Sequence, residues 1–165
     1  MTPAIWLLAF VTAQRIAELV WAQRNTRALL ARGGREIAGE HYPLIVALHA
    51  AWLAGLWGQA GDLVLDPFWL GAYAGLQTLR VWVLASMGRR WTTRIIVVPG
   101  ETLVQRGPFR LISHPNYLVV AGEIAVLPLC FGLSAYAAIF SILNAVVTTI
   151  RIRAEGGALR RAALQ

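Results

Sequence analysis

Arg106, Arg110 and His114 stand in a proline-punctuated turn, RGPFRLISHPNY over residues 106–117, that runs directly into the apolar stretch LVVAGEIAVLPLCFGL. Guanidinium and imidazole groups bind anions and donate hydrogen bonds, so ionic chemistry is placed at the mouth of an apolar helix. Gly107-Pro108 sets a tight backbone turn, and Pro115 suits the first turn of the helix that follows. A positively charged membrane flank would account for the arginines alone. It does not require the ordered pair Gly107-Pro108-Phe109-Arg110 and His114-Pro115-Asn116-Tyr117.

Four more ionisable residues lie inside apolar runs: Arg15, Glu18, Arg80 and Glu123. A charge near the centre of a spanning helix costs roughly 2.5 to 3.5 kcal/mol on insertion scales, so each needs a reason. At 1.5 Å per residue all four fall within about 12 Å of the same end of their helices, and His49 falls in the same layer. That coincidence predicts a polar chamber. Arg15 and Arg80 also read as snorkelling residues, Arg15 as a one-turn partner of Glu18, and His49 as a hydrogen-bonded packing residue. Glu123 snorkels less easily and needs a proton or a counter-charge, with Arg80 or Arg15 the expected partner. Farther along, Asn144, Thr148, Arg151 and Glu155 are spaced by four, three and four residues and share one face of a helix. Glu123 and Arg151 are the candidates for a catalytic role.

The elements that must position these groups are membrane helices. The chain has 165 residues, 58% hydrophobic and 14% charged, with a mean hydropathy of +0.58. A spanning helix needs about 20 apolar residues, and the segments 3–22, 43–60, 67–87, 115–131 and 134–151 fit or nearly fit. The expected fold is all-α, about five transmembrane helices in one domain over 1–165, with a C-terminal helical hairpin. Thirteen of the fifteen basic residues, all arginine, fall after the first span, between the third and fourth, or at the C-terminus. The positive-inside rule makes that side cytoplasmic and puts the N-terminus outside, as in a bacterial inner membrane. The other side carries Asp62 and Asp66. Net charge +7 then follows from topology and anionic headgroups, with no nucleic acid needed.

The first span lacks the preceding positive charge of a signal peptide and is expected to be retained. Cys130 is the only cysteine, which excludes an intrachain disulfide or a cysteine-rich metal site, and reads as packing. Trp6, Trp57, Trp69, Trp21 and Trp91 are expected at the membrane interfaces, with Trp52 and Trp82 packed deeper. In the loop 88–114, the β-branched run Ile95-Ile96-Val97-Val98, then Pro99-Gly100 and Glu101–Val104, predicts a short hairpin on the bilayer surface. There is no Rossmann glycine fingerprint, metal-ligand cluster or catalytic triad. The sequence sets no oligomeric state.

Leu103-Val104, Gly107-Pro108-Phe109-Arg110, His114-Pro115-Asn116-Tyr117 and Arg151-Ile152 with Glu155 and Leu159 resemble the C-terminal signature of the isoprenylcysteine carboxyl methyltransferase family. The likeness covers roughly residues 88–160 and is strongest to the small bacterial, alkylpyrone-methyltransferase type. It implies an S-adenosylmethionine-dependent methyltransferase in the bilayer, with a cytoplasmic cofactor pocket and a lipid-side entrance for a lipophilic acceptor. Carried over position by position, it implies that His114, Pro115 and Tyr117 line the cofactor pocket, that Gly107 and Arg110 shape its loop, and that Arg151 and Glu155 hold cofactor or acceptor. Ser113 stands where the family usually has arginine, and Gly156 where it has a second acidic residue. Methylation of a carboxylate, as on an isoprenylcysteine, or of an enol or phenol fits this reading. An NADPH-dependent membrane lipid reductase and a non-catalytic lipid-binding protein are the alternatives.

Overall fold

A computed structural model describes residues 2–37, 39–59, 61, 63–102 and 104–162, with side chains to residue 156. The expectations that rest on Asp62, Leu103, and the side chains of Leu159, Arg160 and Arg161 lie outside the described residues. Within them are five long helices, α1 Pro3–Ala31, α2 Tyr42–Gln59, α3 Pro67–Met87, α4 Pro115–Cys130 and α5 Ser134–Ala162. Local chemistry sets their ends. Thr2 caps α1 by accepting from the Ile5 amide, and Asp66 caps α3 by accepting from the Phe68 and Trp69 amides, each with proline in the first turn. Gly33, Gly88 and Gly132 take positive φ where α1, α3 and α4 stop.

α1 and α5 run well past the expected spans. Residues 23–31, QRNTRALLA, hold no breaker before Gly33-Gly34, so the helix continues as a polar extension. Pro3–Ala31 and the 134–156 part of α5 are long and apolar enough to cross a bilayer, and Pro115–Cys130 is a shorter apolar helix. Their outward faces carry Trp6, Phe10, Ile16, Ile139, Ile142 and Val146, each more than half exposed. Such a surface suits lipid.

α4 is the central helix, packed against α3 on one side and α5 on the other. One core joins Leu8 and Val11 of α1, Trp52 and Leu56 of α2, Tyr73 of α3, and Ile124 and Leu127 of α4. Cys130 belongs to it, fully enclosed, as a packing residue. Trp91 and Trp82 depart from expectation. Trp91 is 4% exposed and packs with Ala22, Val83 and Val119, whereas Trp82, one helical step from Val83, is 48% exposed on the outer face of α3.

The hairpin expected within 88–114 is also corrected. Ile96–Val97 forms strand β2, but its partner is β1, Arg35–Glu36, in the α1–α2 connection, with Arg35 opposite Val97 and Glu36 opposite Ile96. Ile37 N–H extends the ladder to the Ile95 carbonyl at 2.9 Å. The Pro99-Gly100 turn is present, with Gly100 at φ +79°, and sends the chain away from the pair. The two Arg-rich connections are thereby stitched together. Arg94 on Glu36 (2.8 Å), and Arg32 and Arg90 both on Glu101, reinforce the junction. The hydrogen bond that Arg94 donates to Glu36 raises the Arg94 pKa above its ordinary value, so this exposed guanidinium stays charged.

Candidate functional site

The ionisable residues inside the helices meet in one layer. Arg80 Nε donates to Glu18 Oε1 at 2.7 Å and its Nη2 to Glu18 Oε2, a two-pronged contact between α3 and α1. Arg80 Nη1 donates to Glu123 Oε2 at 2.6 Å, and Arg15 Nη2 reaches the same oxygen at 2.7 Å. Gln77 Nε2 donates to Glu123 Oε1 at 2.7 Å and its own carbonyl accepts from Gln14 at 2.9 Å. Two arginines and two glutamates cancel in charge, and every carboxylate oxygen has a donor. That completeness is what makes buried ions tolerable. Glu123 is fully enclosed and joins α4 to both arginines, facing the bundle as its cost in lipid demands.

One side of this layer opens into a cavity of about 340 Å³ between α1, α2, α4 and α5. Arg15, Glu18 and Arg80 line it, and Glu123 sits behind them. The walls are mainly apolar, and the rim between α1 and α2 is made by Ile16, Leu19 and Val46, all exposed on the outer surface. The cavity therefore has a polar floor and a greasy side door. His49 faces it, with Nδ1 bonded to the Ile45 carbonyl at 2.8 Å. Asn144 and Thr148 face it from α5.

At the Arg-rich end, Tyr117 is the hinge of a second polar cluster. Its hydroxyl donates to Glu155 Oε2 at 2.8 Å and accepts from Arg151 Nε at 3.0 Å. Arg151 Nη2 also donates to the Thr93 carbonyl at 2.8 Å. Tyr117 and Arg151 line the cavity, beside Tyr42, Trp91, Thr93 and Asn116. His114 is exposed at the start of α4 and stacks on the Tyr117 ring, centroids 5.2 Å apart. Pro115 is buried at the first position of that helix.

The Gly107–Arg110 turn packs against α3 and does not line the cavity. Gly107 has φ +60°, and a Cβ there would lie 2.0 Å from Ser86 Oγ. Its place is therefore closed to any side chain, which brings the turn hard against α3. Arg106 holds the same junction through Nε to the Ser86 carbonyl at 2.8 Å. Arg110 is exposed on the far side of the turn.

Several residues of the site carry no signal in the sequence. Gln77 and Gln14 complete the charged layer as ordinary-looking polar residues in apolar helices. Trp91 reads as an interface anchor, yet it walls the cavity with an indole N–H that has no partner among the described residues, and Trp52 does the same deeper in. Asn25 holds the Trp91 loop in place, its Nδ2 donating to the Gly88 and Trp91 carbonyls at 3.2 and 2.8 Å. A buried asparagine beyond the first span was the one available clue.

Protein YpbQ of Bacillus subtilis (strain 168), whose function is uncharacterized, is 39% identical over 161 residues, 94% of this chain and 96% of that protein. No solved structure matches the chain significantly. Residues 69–161 match the isoprenylcysteine carboxyl methyltransferase (ICMT) family, a stretch that takes in α3, α4, α5 and the Tyr117 cluster. Helices of spanning length and apolarity agree with the membrane character of that family. By that match, which spans more than half of its length, the chain belongs to the isoprenylcysteine carboxyl methyltransferase family of membrane methyltransferases.

Proposed function

We propose that this chain uses S-adenosylmethionine to methylate a lipophilic acceptor that enters from the bilayer. The observation that carries the reading is the position of the Tyr117–Arg151–Glu155 cluster, at the polar end of a cavity whose other opening is apolar and lateral. Such a cavity brings a water-borne and a lipid-borne reactant together.

The residues fit the cofactor's charges. Arg151 offers a cation for its carboxylate, Glu155 an anion for its ammonium or a ribose hydroxyl, and the first turn of α4 a positive dipole. The Trp91 indole N–H, buried in the wall without an acceptor, is a donor that such a ligand satisfies. Tyr117 holds Arg151 and Glu155 in register, and His114, Pro115, Gly107 and Arg110 shape the approach. S-adenosylmethionine supplies a methyl group on a sulfonium. The protein's part is to align the acceptor with it and to exclude water, which the apolar walls favour. Arg80, Arg15, Glu18 and Glu123 act as a neutral, rigid floor that sets the depth of the acceptor headgroup.

In this reading all five helices cross the membrane. The N-terminus lies outside, and the Arg-rich connections and C-terminus lie in the cytoplasm, consistent with the distribution of arginine. The acceptor carries a carboxylate or an enol or phenol hydroxyl on an apolar body. The test is titration of the purified protein with S-adenosylmethionine, followed by a mass-spectrometric search for membrane lipids that gain one methyl group. Absence of cofactor binding by folded protein overturns the proposal.

A further inference from the structure

His49 is set apart from every other ionisable group in the cavity. Among the described lining residues, the only carboxylate is Glu18. Its Oε1 accepts from Gln14 and Arg80 at 3.0 and 2.7 Å, and its Oε2 from Arg80 and Arg15. Such a carboxylate, doubly bound by guanidinium groups, is a poor base. Tyr117 donates its proton to Glu155, and the Tyr42 hydroxyl is engaged with Thr93 Oγ1 at 3.0 Å. Arg15, Arg80 and Arg151 are cations throughout the accessible pH range.

The His49 ring is fixed in one tautomer. A peptide carbonyl only accepts, so the 2.8 Å contact to the Ile45 carbonyl puts the proton on Nδ1. Nε2 then carries a lone pair and has no hydrogen-bond partner among the described residues. The side chain sits on the face of α2 that Tyr42, Ile45, Val46 and Leu53 also present to the cavity. It lies about 10 Å deeper than Tyr42 by helical rise. The charged layer beside it is neutral overall, so a proton arriving on Nε2 meets two carboxylates as well as two guanidinium groups.

We propose that His49 is the proton acceptor of the reaction, serving an acceptor whose nucleophile is a hydroxyl, an enol or a phenol. The inference rests on the methyltransferase reading above. As the hydroxyl oxygen bonds to the methyl carbon, the methyl–sulfur bond breaks with its electron pair left on sulfur. The O–H proton passes to His49 Nε2, and the imidazolium later returns it to water. A carboxylate nucleophile has no proton to lose and leaves His49 without this task.

The probes are 5-pentadecylresorcinol and hexadecanoate, offered with S-adenosylmethionine to purified parent, His49→Leu and His49→Gln proteins. Cofactor binding by titration is expected to be equal in all three. The parent is expected to methylate the resorcinol. Both variants keep its KM within a few-fold and lose roughly 100-fold in kcat at pH 7, the ordinary scale of a lost general base. Their deficit shrinks as pH approaches the phenol's own ionisation near about 10. Arg15 and Glu18 of α1, Tyr42 of α2, Arg80 of α3, Tyr117 of α4 and Arg151 of α5 line the same cavity, with Glu123 of α4 behind its wall. They are common to parent and variants, so the difference between the profiles isolates His49. A purely structural His49 would lower cofactor affinity and folded yield together, with no recovery at high pH. Parent protein that binds cofactor but leaves the resorcinol unmethylated, or a His49→Leu variant with parental kcat, overturns the inference. Parent protein that fails to bind cofactor overturns the methyltransferase reading instead.

Discussion

Arg80 grips Glu18 with two parallel hydrogen bonds and spends its remaining nitrogen on Glu123 at 2.6 Å, so one guanidinium ties α3 to both α1 and α4. Removing it leaves two carboxylates with Arg15 as their only counter-charge. Arg80→Met is expected to destabilise the protein by about 3 to 5 kcal/mol, the usual cost of breaking a buried ion pair from one side. Thermal unfolding in detergent measures it. A melting temperature unchanged from the parent would show that the layer contributes nothing to the fold.

Glu123→Gln keeps the shape and the contact with Gln77 but strips the layer of one negative charge. Activity is expected to fall while much of the fold persists. A double-mutant cycle of Glu123→Gln with Arg80→Gln should show coupling on the order of 0.5 to 3 kcal/mol, because the two share a hydrogen bond. If Glu123→Leu matched the parent in stability and turnover, the carboxylate would be no counter-ion.

Tyr117→Phe removes the atom through which Arg151 and Glu155 communicate. S-adenosylmethionine affinity is expected to drop by about 1.5 to 3 kcal/mol for this variant and for Glu155→Ala, the range for hydrogen bonds to charged groups. His114→Ala loses an exposed ring stack, and about 0.5 to 1.5 kcal/mol is expected. Calorimetric titration checks the order. Equal affinity in all three variants would detach the cluster from the cofactor.

Gly107→Ala meets two penalties, a positive φ and a Cβ placed 2.0 Å from Ser86 Oγ. The backbone term alone is about 1 to 2 kcal/mol. The variant is expected to unfold earlier and to bind cofactor less well, because the displaced turn carries Arg106 with it. Gly58→Ala, on an open face of α2, is the control and should be close to neutral. A Gly107→Ala protein as stable as that control would mean that the turn stands clear of α3.

Orientation is testable with single cysteines. In a Cys130→Ala background, Arg35→Cys and Gln105→Cys are expected to react with a membrane-impermeant maleimide only after the cells are opened. Labelling of either from outside intact cells would reverse the proposed topology.

Much of the helical framework was legible because its signals are local. Thr2, Asp66, Pro67, Pro115 and Gly132 mark helix ends by chemistry that needs no distant partner. The meeting of Glu123 with Arg80 and Arg15 was legible for a different reason, since buried charge must find counter-charge. Strand pairing was not. Ile96–Val97 has ample strand propensity, but nothing near it in the chain says that Arg35–Glu36, across two helices, is the better partner. Trp82 was misplaced because depth along a helix says nothing of rotation about it, and Trp91 because its loop is drawn inward by Asn25, a contact far off in the chain. In the site, the spacing of Arg151 and Glu155 announced a shared face, whereas the part of Trp91 and Gln77 depends wholly on tertiary placement.

The cavity has two walls drawn from different parts of the chain. α4 and α5, with Arg80 of α3, form one wall and carry the Tyr117 cluster, while α1 and α2 form the other wall and the lateral rim. Ile16, Leu19, Val46 and Leu53 line the α1–α2 wall and take no part in the hydrogen bonds of Tyr117, Arg151 and Glu155. Grafting α1 and α2 of a relative onto this α3–α5 unit, with Arg15, Glu18 and the β1 strand retained, is a direct route to exchanging what the cavity admits while conserving how it is served.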